Sequence, residues 1–122
     1  MEIGVGIHGE PGRRRVKLMP AKDIADEMVT AIVGDLGATA KGPCLLLLNG
    51  FGGTPTMELY LMYDNVRRIA EKHGVTIARS LVGNYVTSLD MAGCSMTLTR
   101  LEDDFVPLWD AAVHTPSLRW GI

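Results

Sequence analysis

The chain has 122 residues and a formal net charge of −2 at pH 7, a size that fits one compact domain. Apolar residues make up 47% of it, an ordinary globular proportion that argues against disorder. The near-balanced charge offers no basic face, so nucleic acid is not an expected partner. The longest apolar run, Cys44 to Leu48, is far too short to cross a bilayer, so no membrane contact is expected.

The two cysteines, Cys44 and Cys94, lie in separate apolar, strand-like runs. Their separation matches neither a disulfide framework nor the spacing of a metal site, so we expect small, buried, reduced thiols and no bound metal. The N-terminus lacks the charged-then-apolar pattern of a secretory signal. Both features favour a cytoplasmic chain.

The first half of the chain predicts a strand, a helix and a second strand. Residues 2–7 form the first strand, which ends in a glycine-rich loop at residues 8–12. The helix is expected from about Pro20 to Val33, because apolar residues recur every four positions and two glycines then mark its end. The second strand is the continuous apolar run at residues 45–48, a pattern typical of a strand covered on both faces. The apolar stripe of the helix consists of Ile24, Met28, Ile32 and Leu36.

The second half predicts a longer helix followed by two strands. A glycine-rich turn at residues 49–53 leads into the helix, which Thr54 or Thr56 can cap and which runs to about His73. Residues 75–82 and 94–101 predict strands, and the latter alternates apolar and polar side chains. A short helix is expected at residues 105–109 and an extended tail at residues 114–116.

Helices that alternate with strands indicate a two-layer α/β domain. The expected architecture is a mixed sheet of about four strands with two main helices.

Three histidines are candidates for chemistry. His73 falls in the last turn of a helix, where a histidine favours the negative helix end, and His114 is expected to be a packed or hydrogen-bonded structural residue. His8 lies between Gly6 and Gly9, and glycines allow close approach of a ligand. From the residues alone, His8 is equally consistent with a functional imidazole and with a histidine that caps a turn.

Two polar loops are also candidates. The turn at residues 49–53 lies between a strand and a helix, as in a phosphate cradle, but it lacks the lysine of a P-loop, which favours a structural turn. The Thr, Ser and Asp of residues 85–93 can hydrogen-bond their own backbone or face a partner domain. Both alternatives stay open at this point.

Four segments, in order along the whole chain, resemble one family. They are MEIGVGIHGEPG at 1–12, LNGFGGTP at 48–55 with ELY at 58–60, LVGNYVTSLDMAG at 81–93, and LWDAAVHTP at 108–116 with Trp120. This combination is similar to the K-type, substrate-binding domain of dihydroxyacetone kinases. The resemblance implies that residues 1–122 form the C-terminal half of that domain, with a fold similar to the C-terminal domain of tubulin-like proteins.

The resemblance also implies a reaction. Dihydroxyacetone would be held as a covalent hemiaminal on the tele nitrogen of His8, which occupies the family's Gly-x-His-Gly-Glu-Pro-Gly motif, and then phosphorylated to dihydroxyacetone phosphate. A neutral imidazole is the nucleophilic form, and an ordinary histidine is largely neutral at pH 7. Glycerol has no carbonyl group and cannot form the adduct.

The family also implies cofactors and partners. No cofactor is expected on this chain, because ATP or ADP with Mg²⁺ is held on a separate nucleotide-binding domain or subunit. The expected partners are dihydroxyacetone, the N-terminal half of the K domain, the nucleotide-binding kinase subunit and a second copy in a homodimer. The N-terminal half supplies an aspartate and a second histidine, so this chain alone is expected to be inactive.

Two other functions stay open. Some relatives lack kinase activity and sense dihydroxyacetone while they bind a transcription regulator, and His8 would serve them equally. A purely structural fragment would bind nothing.

Overall fold

The computed structural model describes residues 1–88 and 90–121. The helices are α1 (Ala21–Leu36), α2 (Thr56–Lys72) and α3 (Phe105–Asp110), and a 3₁₀ turn at Gly37–Ala40 follows α1. The strands are β1 (Glu2–Ile3), β2 (Arg14–Arg15), β3 (Gly42–Phe51), β4 (Val75–Gly83), β5 (Gly93–Arg100), β6 (Val113–His114) and β7 (Arg119–Trp120). Among the described residues, no helix is both long and apolar enough to span a membrane.

The main sheet has three strands in the order β4-β3-β5. β3 and β4 are parallel and joined through α2, whereas β5 runs antiparallel to β3, so the sheet is mixed as predicted. The first predicted strand is not part of it. β1 ends at Ile3 and pairs with β2 in a separate two-stranded ladder, because Gly4 takes a positive φ of 75° and turns the chain.

The core lies between the sheet and the two long helices. On α2, Leu59, Met62, Val66 and Ile69 are buried at the helical spacing of three and four residues. On α1, the buried residues are Ala25 and Val29, one position away from the predicted stripe. The predicted stripe flanks this pair, with Ile24, Met28 and Leu36 packed at its margin.

A glycine with a positive φ follows the C-terminal end of each long helix. α1 continues through Gly34 and ends at Gly37, whose positive φ of 58° closes the helix three residues later than expected. α2 ends as predicted, with His73 as its C-cap and Gly74 in the left-handed region at φ 78°.

The two faces of β3 are covered unequally. Cys44, Leu46 and Leu48 are fully buried against the helices, whereas Leu45 and Leu47 on the opposite face are half-buried. Around Leu45, an open apolar groove is formed with side chains that include Phe105 of α3. The expectation of a strand covered on both faces is therefore correct for the helical face alone.

β5 shows the predicted alternation. Cys94, Met96 and Leu98 pack against the core, whereas Thr97 and Thr99 are exposed. The pattern follows from a strand that has helices on one side and an open face on the other.

The glycine-rich turn after β3 is hydrogen-bonded to the loop that precedes β5. The Gly52 amide donates to Thr87 Oγ1 at 2.7 Å, and a Cβ on Gly52 would lie 2.3 Å from the Met91 carbonyl oxygen. Thr54 does not cap α2, because its hydroxyl bonds both the amide (2.8 Å) and the carbonyl (2.9 Å) of Gly93. Thr87 therefore holds this turn, whereas the Ser88 hydroxyl is buried without a hydrogen-bond partner among the described residues. Leu89 of the loop lies outside the described residues.

Asn49, a buried polar residue, anchors the start of this loop. Its Oδ1 accepts from the amides of Tyr85 and Val86, both at 2.8 Å, and its Nδ2 donates to the Val86 carbonyl at 2.6 Å. Nδ2 also lies 3.4 Å from Ser95 Oγ. Its side chain thus ties the end of the central strand to residues 85 and 86.

The tail is a small hairpin rather than a single extended segment. Val113 and His114 of β6 pair with Trp120 and Arg119 of β7. Trp120 packs on Trp109 with ring centroids 5.3 Å apart and donates from Nε1 to the Ala111 carbonyl at 2.8 Å. The hairpin is therefore tied back to α3.

Replacing Asn49 with Ala is expected to lower the free energy of unfolding by about 2–4 kcal/mol, because the two loop amides lose their acceptor. Urea denaturation measures the change. Asn65→Ala is the matched control, since Asn65 bonds a carbonyl of its own helix, and its effect should stay within about 0.5 kcal/mol. Equal losses for both variants would contradict the role given to Asn49.

Candidate functional site

His8 lies in the loop of the N-terminal hairpin, which we define as residues 1–16. The Met1 amino group donates to the Val16 carbonyl at 2.7 Å, and the Arg13 amide donates to the Ile3 carbonyl at 2.8 Å. These bonds close the base of the hairpin, so that residues 4–12 form a long loop.

One ion pair ties the hairpin to the helical layer. Arg14 on β2 contacts Glu27 on α1 through two bonds, Nη2 to Oε2 at 2.6 Å and Nε to Oε1 at 3.1 Å. This bidentate geometry is the stronger form of an arginine–carboxylate pair. It raises the pKa of Arg14, chiefly through the hydrogen bond to Glu27.

Two carboxylates fold over the backbone of the loop. Glu2 accepts from the Gly12 amide at 3.0 Å, and Glu10 accepts from the His8 amide at 3.1 Å. Both arrangements need a glycine: a Cβ on Gly12 would lie 2.6 Å from Glu2 Cγ, and one on Gly6 would lie 1.9 Å from Glu10 Oε2. The glycines of the motif therefore make room for the acidic side chains of this same loop.

The His8 imidazole is open to solvent, with 79% of the side chain exposed. Its Nδ1 lies 3.5 Å from Glu10 Oε1. Within the described residues, Nε2 makes no hydrogen bond, so one ring nitrogen faces a carboxylate and the other is accessible. The predicted strand at residues 2–7 is shorter than expected: β1 ends at Ile3, so His8 does not directly follow a strand.

Glu10 carries its negative charge under ordinary conditions. Hydrogen bonding by its own backbone N–H, with smaller contributions from the His8 amide and imidazole, holds the pKa of the Glu10 carboxyl below its usual value. A charged carboxylate beside Nδ1 favours a proton on that nitrogen. An imidazole with its proton on Nδ1 has its lone pair on Nε2 and can attack an electrophilic carbon.

The remaining candidates take structural positions. His73 caps α2, as predicted. His114 is exposed rather than packed, and only its backbone joins the tail ladder. Cys44 and Cys94 are free thiols, and burial raises the pKa of both, which leaves them protonated and unreactive. The described residues bring together no group of three His, Cys, Asp or Glu that could hold a metal ion.

Sequence reasoning singled out His8 but missed Glu10 as its partner. The two side chains are two positions apart, and their contact depends on a reversal of the backbone. The Gly9 amide donates to the Gly6 carbonyl at 3.2 Å, and Gly9 has a positive φ of 89°. Gly6 and Gly9, one at each end of this reversal, were the sequence signal that could have indicated the contact between His8 and Glu10.

A family model places the chain. The model described as the Dak1 domain matches residues 1–117. The chain belongs to the Dak1 family. The segments that suggested a dihydroxyacetone kinase domain therefore belong to a Dak1 domain, and the predicted α/β fold agrees with solved structures of similar proteins.

Three similar proteins illustrate the relationship. The dihydroxyacetone-binding subunit DhaK of PTS-dependent dihydroxyacetone kinase 2 from Listeria innocua is 43% identical over 95% of this chain. The solved structure of a dihydroxyacetone kinase operon co-activator, Dha-DhaQ, matches 89% of the chain with a TM-score of 0.80 and 35% identity. The dihydroxyacetone kinase from C. freundii, solved with AMP-PNP and Mg²⁺, matches 90% with a TM-score of 0.70 and 26% identity.

The chain spans only part of each of these proteins. It covers 35% of the Listeria subunit, 34% of the co-activator and 20% of the C. freundii kinase. The similarity thus establishes the domain family, and the activity of the longer proteins comes to this chain only as a proposal.

Replacing Glu27 with Gln is expected to loosen the hairpin without unfolding the core, because it removes the charge that Arg14 binds. Hydrogen exchange should speed up at the amides of Arg13 and Val16, which close the hairpin, and stay unchanged in β3. Asp26→Asn, on the exposed side of the same helix, is the charge-matched control. Unchanged exchange in the Glu27 variant would show that the ion pair does not hold the hairpin.

Proposed function

We propose that this Dak1 domain binds dihydroxyacetone covalently through His8, as part of the substrate-binding side of a dihydroxyacetone kinase. The observation that carries the proposal is the exposed imidazole of His8, which has Nδ1 beside Glu10 and Nε2 accessible. The similar Listeria subunit, described as dihydroxyacetone-binding, supports the choice of substrate.

The chemistry needs a carbonyl group. The Nε2 lone pair adds to the ketone carbon, the C=O π bond breaks, and the oxygen takes up a proton to give the hemiaminal. The free hydroxymethyl group of the bound substrate then accepts a phosphoryl group. Polyols such as glycerol have no electrophilic carbon and are excluded by chemistry rather than by fit.

Phosphoryl transfer requires groups beyond this chain. The reaction needs a base for the substrate hydroxyl and a nucleotide with its metal, and correct positioning supplies about 7–11 kcal/mol of such a barrier. We propose that residues 1–122 correspond to the C-terminal half of the substrate domain. The C. freundii kinase, solved with AMP-PNP and Mg²⁺, supports ATP with Mg²⁺ as the phosphoryl source, and we propose that both lie on a separate nucleotide-binding domain or subunit. The complete subunit would be a cytoplasmic homodimer.

A second candidate function is suggested by the similarity to the operon co-activator. In this alternative the domain binds dihydroxyacetone and reports it to a transcription regulator. His8 would bind the substrate in the same way, so substrate binding alone does not separate the two functions.

The isolated chain is expected to form a small amount of adduct with dihydroxyacetone labelled with ¹³C at the ketone carbon, because adduct formation needs only a nucleophilic nitrogen. NMR should show a tetrahedral carbon signal that depends on the protein, distinct from the hydrate formed in buffer. His8→Ala should abolish it, whereas His73→Ala, which changes an exposed histidine at the end of α2, should not. A signal that survives in His8→Ala would refute the assignment of the nucleophile.

The isolated chain is expected to show no ATP-dependent phosphorylation of dihydroxyacetone in a coupled assay. Adding the remaining part of the substrate subunit and the nucleotide-binding subunit should restore turnover, and His8→Ala should remove most of it. Turnover by the isolated chain would overturn the proposal that it holds half of the site. An adduct without turnover in the complete assembly would favour the sensor.

A further inference from the structure

Glu10 contacts His8 at two places. Its Oε2 accepts from the His8 amide at 3.1 Å, and its Oε1 lies 3.5 Å from Nδ1 of the same residue. The backbone bond therefore fixes the carboxylate beside the ring. Hydrogen bonds of catalytic groups are often long before substrate binds, and a small rotation of the imidazole would bring Nδ1 into bonding range.

The position of the carboxylate depends on Gly6. A methyl group there would lie 1.9 Å from Oε2 and 2.6 Å from Cδ of Glu10, closer than any real contact. The Gly6 amide also donates to the Glu10 carbonyl at 3.2 Å, so the main chains of the two residues are joined as well. The φ of Gly6 is not in the left-handed region, so its missing side chain, rather than its backbone freedom, is what the loop uses.

We propose that Glu10 is a positioning residue, which holds the proton of His8 on Nδ1 and so presents Nε2 as the nucleophile. The assignment of dihydroxyacetone as the electrophile rests on the proposed function. The tautomer itself does not, because it is a property of the free protein.

Glu10 would also act after the attack. The new bond joins Nε2 to the ketone carbon, the π electron pair moves to the oxygen, and that oxygen takes a proton from a water molecule, which leaves to solvent as hydroxide. The ring then carries a positive charge, with its proton still on Nδ1, and the Glu10 carboxylate lies beside that charge. A carboxylate in this position stabilises the imidazolium, as the buried aspartate of a serine protease does.

Long-range ¹H–¹⁵N spectra of the isolated chain, recorded with the imidazole neutral, test the tautomer directly. The parent should show a protonated Nδ1 and an unprotonated Nε2 at His8. In Glu10→Gln the two nitrogen signals should move towards the averaged values of a free imidazole. Gly6→Ala should give the same change, because it keeps the charge of Glu10 but displaces the carboxylate.

Glu58→Gln is the control for net charge, since Glu58 lies in the first turn of α2, outside the hairpin, and should leave the His8 signals unchanged. The same samples with ¹³C-labelled dihydroxyacetone should show about 10-fold less adduct in Glu10→Gln and Gly6→Ala. A loss of about this size is the smallest usually seen when a metal-ligating histidine loses the residue that hydrogen-bonds its other ring nitrogen. Circular dichroism should confirm that all three variants keep the parent fold.

The outcomes separate the two proposals. A parent that holds the Nδ1–H tautomer but forms no adduct would contradict the proposed function and leave the role of Glu10 standing. An adduct that forms equally in the parent and in Glu10→Gln, or a tautomer that neither variant alters, would overturn the role of Glu10 alone.

Discussion

Hydrogen bonding along both edges of β3 is the constraint on which the main body of the domain depends. β3 pairs with β4 in parallel from Gly42 to Asn49 and with β5 in antiparallel from Cys44 to Phe51. The helices α1 and α2 cover one face of this strand and bury Cys44, Leu46 and Leu48, whereas the opposite face stays half-exposed. The end of β3 also holds the loop between β4 and β5, because Asn49 binds the start of that loop and Thr54 binds Gly93 at its end.

Most of the main body could be predicted from the sequence because its signals are periodic. The helix that ends near His73 and the alternation in β5 were both confirmed, and each element has one buried face. Where the structure differs from the prediction, a local backbone angle or hydrogen bond outweighs the sequence pattern. Residues 4–7 have a strand-like composition, but the positive φ of Gly4 takes them out of the ladder. Thr54 has the side chain of a helix cap, but Gly93 offers it both a donor and an acceptor.

Of the candidate site, the sequence predicted His8 but not its contact with Glu10. A histidine between glycines is a local pattern that can be recognised in a sequence, and it singled out His8, whose imidazole the structure leaves exposed. The contact with Glu10 depends on how the loop reverses, and on a carboxylate that occupies the space where Gly6 has no side chain. Spacing does not reveal such a contact, since residues two positions apart face each other only when the backbone turns between them.

The separation of the hairpin from the main sheet has a consequence for how such a domain can diversify. The hairpin has its own ladder and its own carboxylate bonds, and the ion pair between Arg14 and Glu27 links it to α1. The loop that presents His8 can therefore change in length or composition without altering the packing between the sheet and its helices. A lineage could acquire a preference for a different carbonyl compound, or lose catalysis and keep recognition, while its core sequence stays under the same packing constraints.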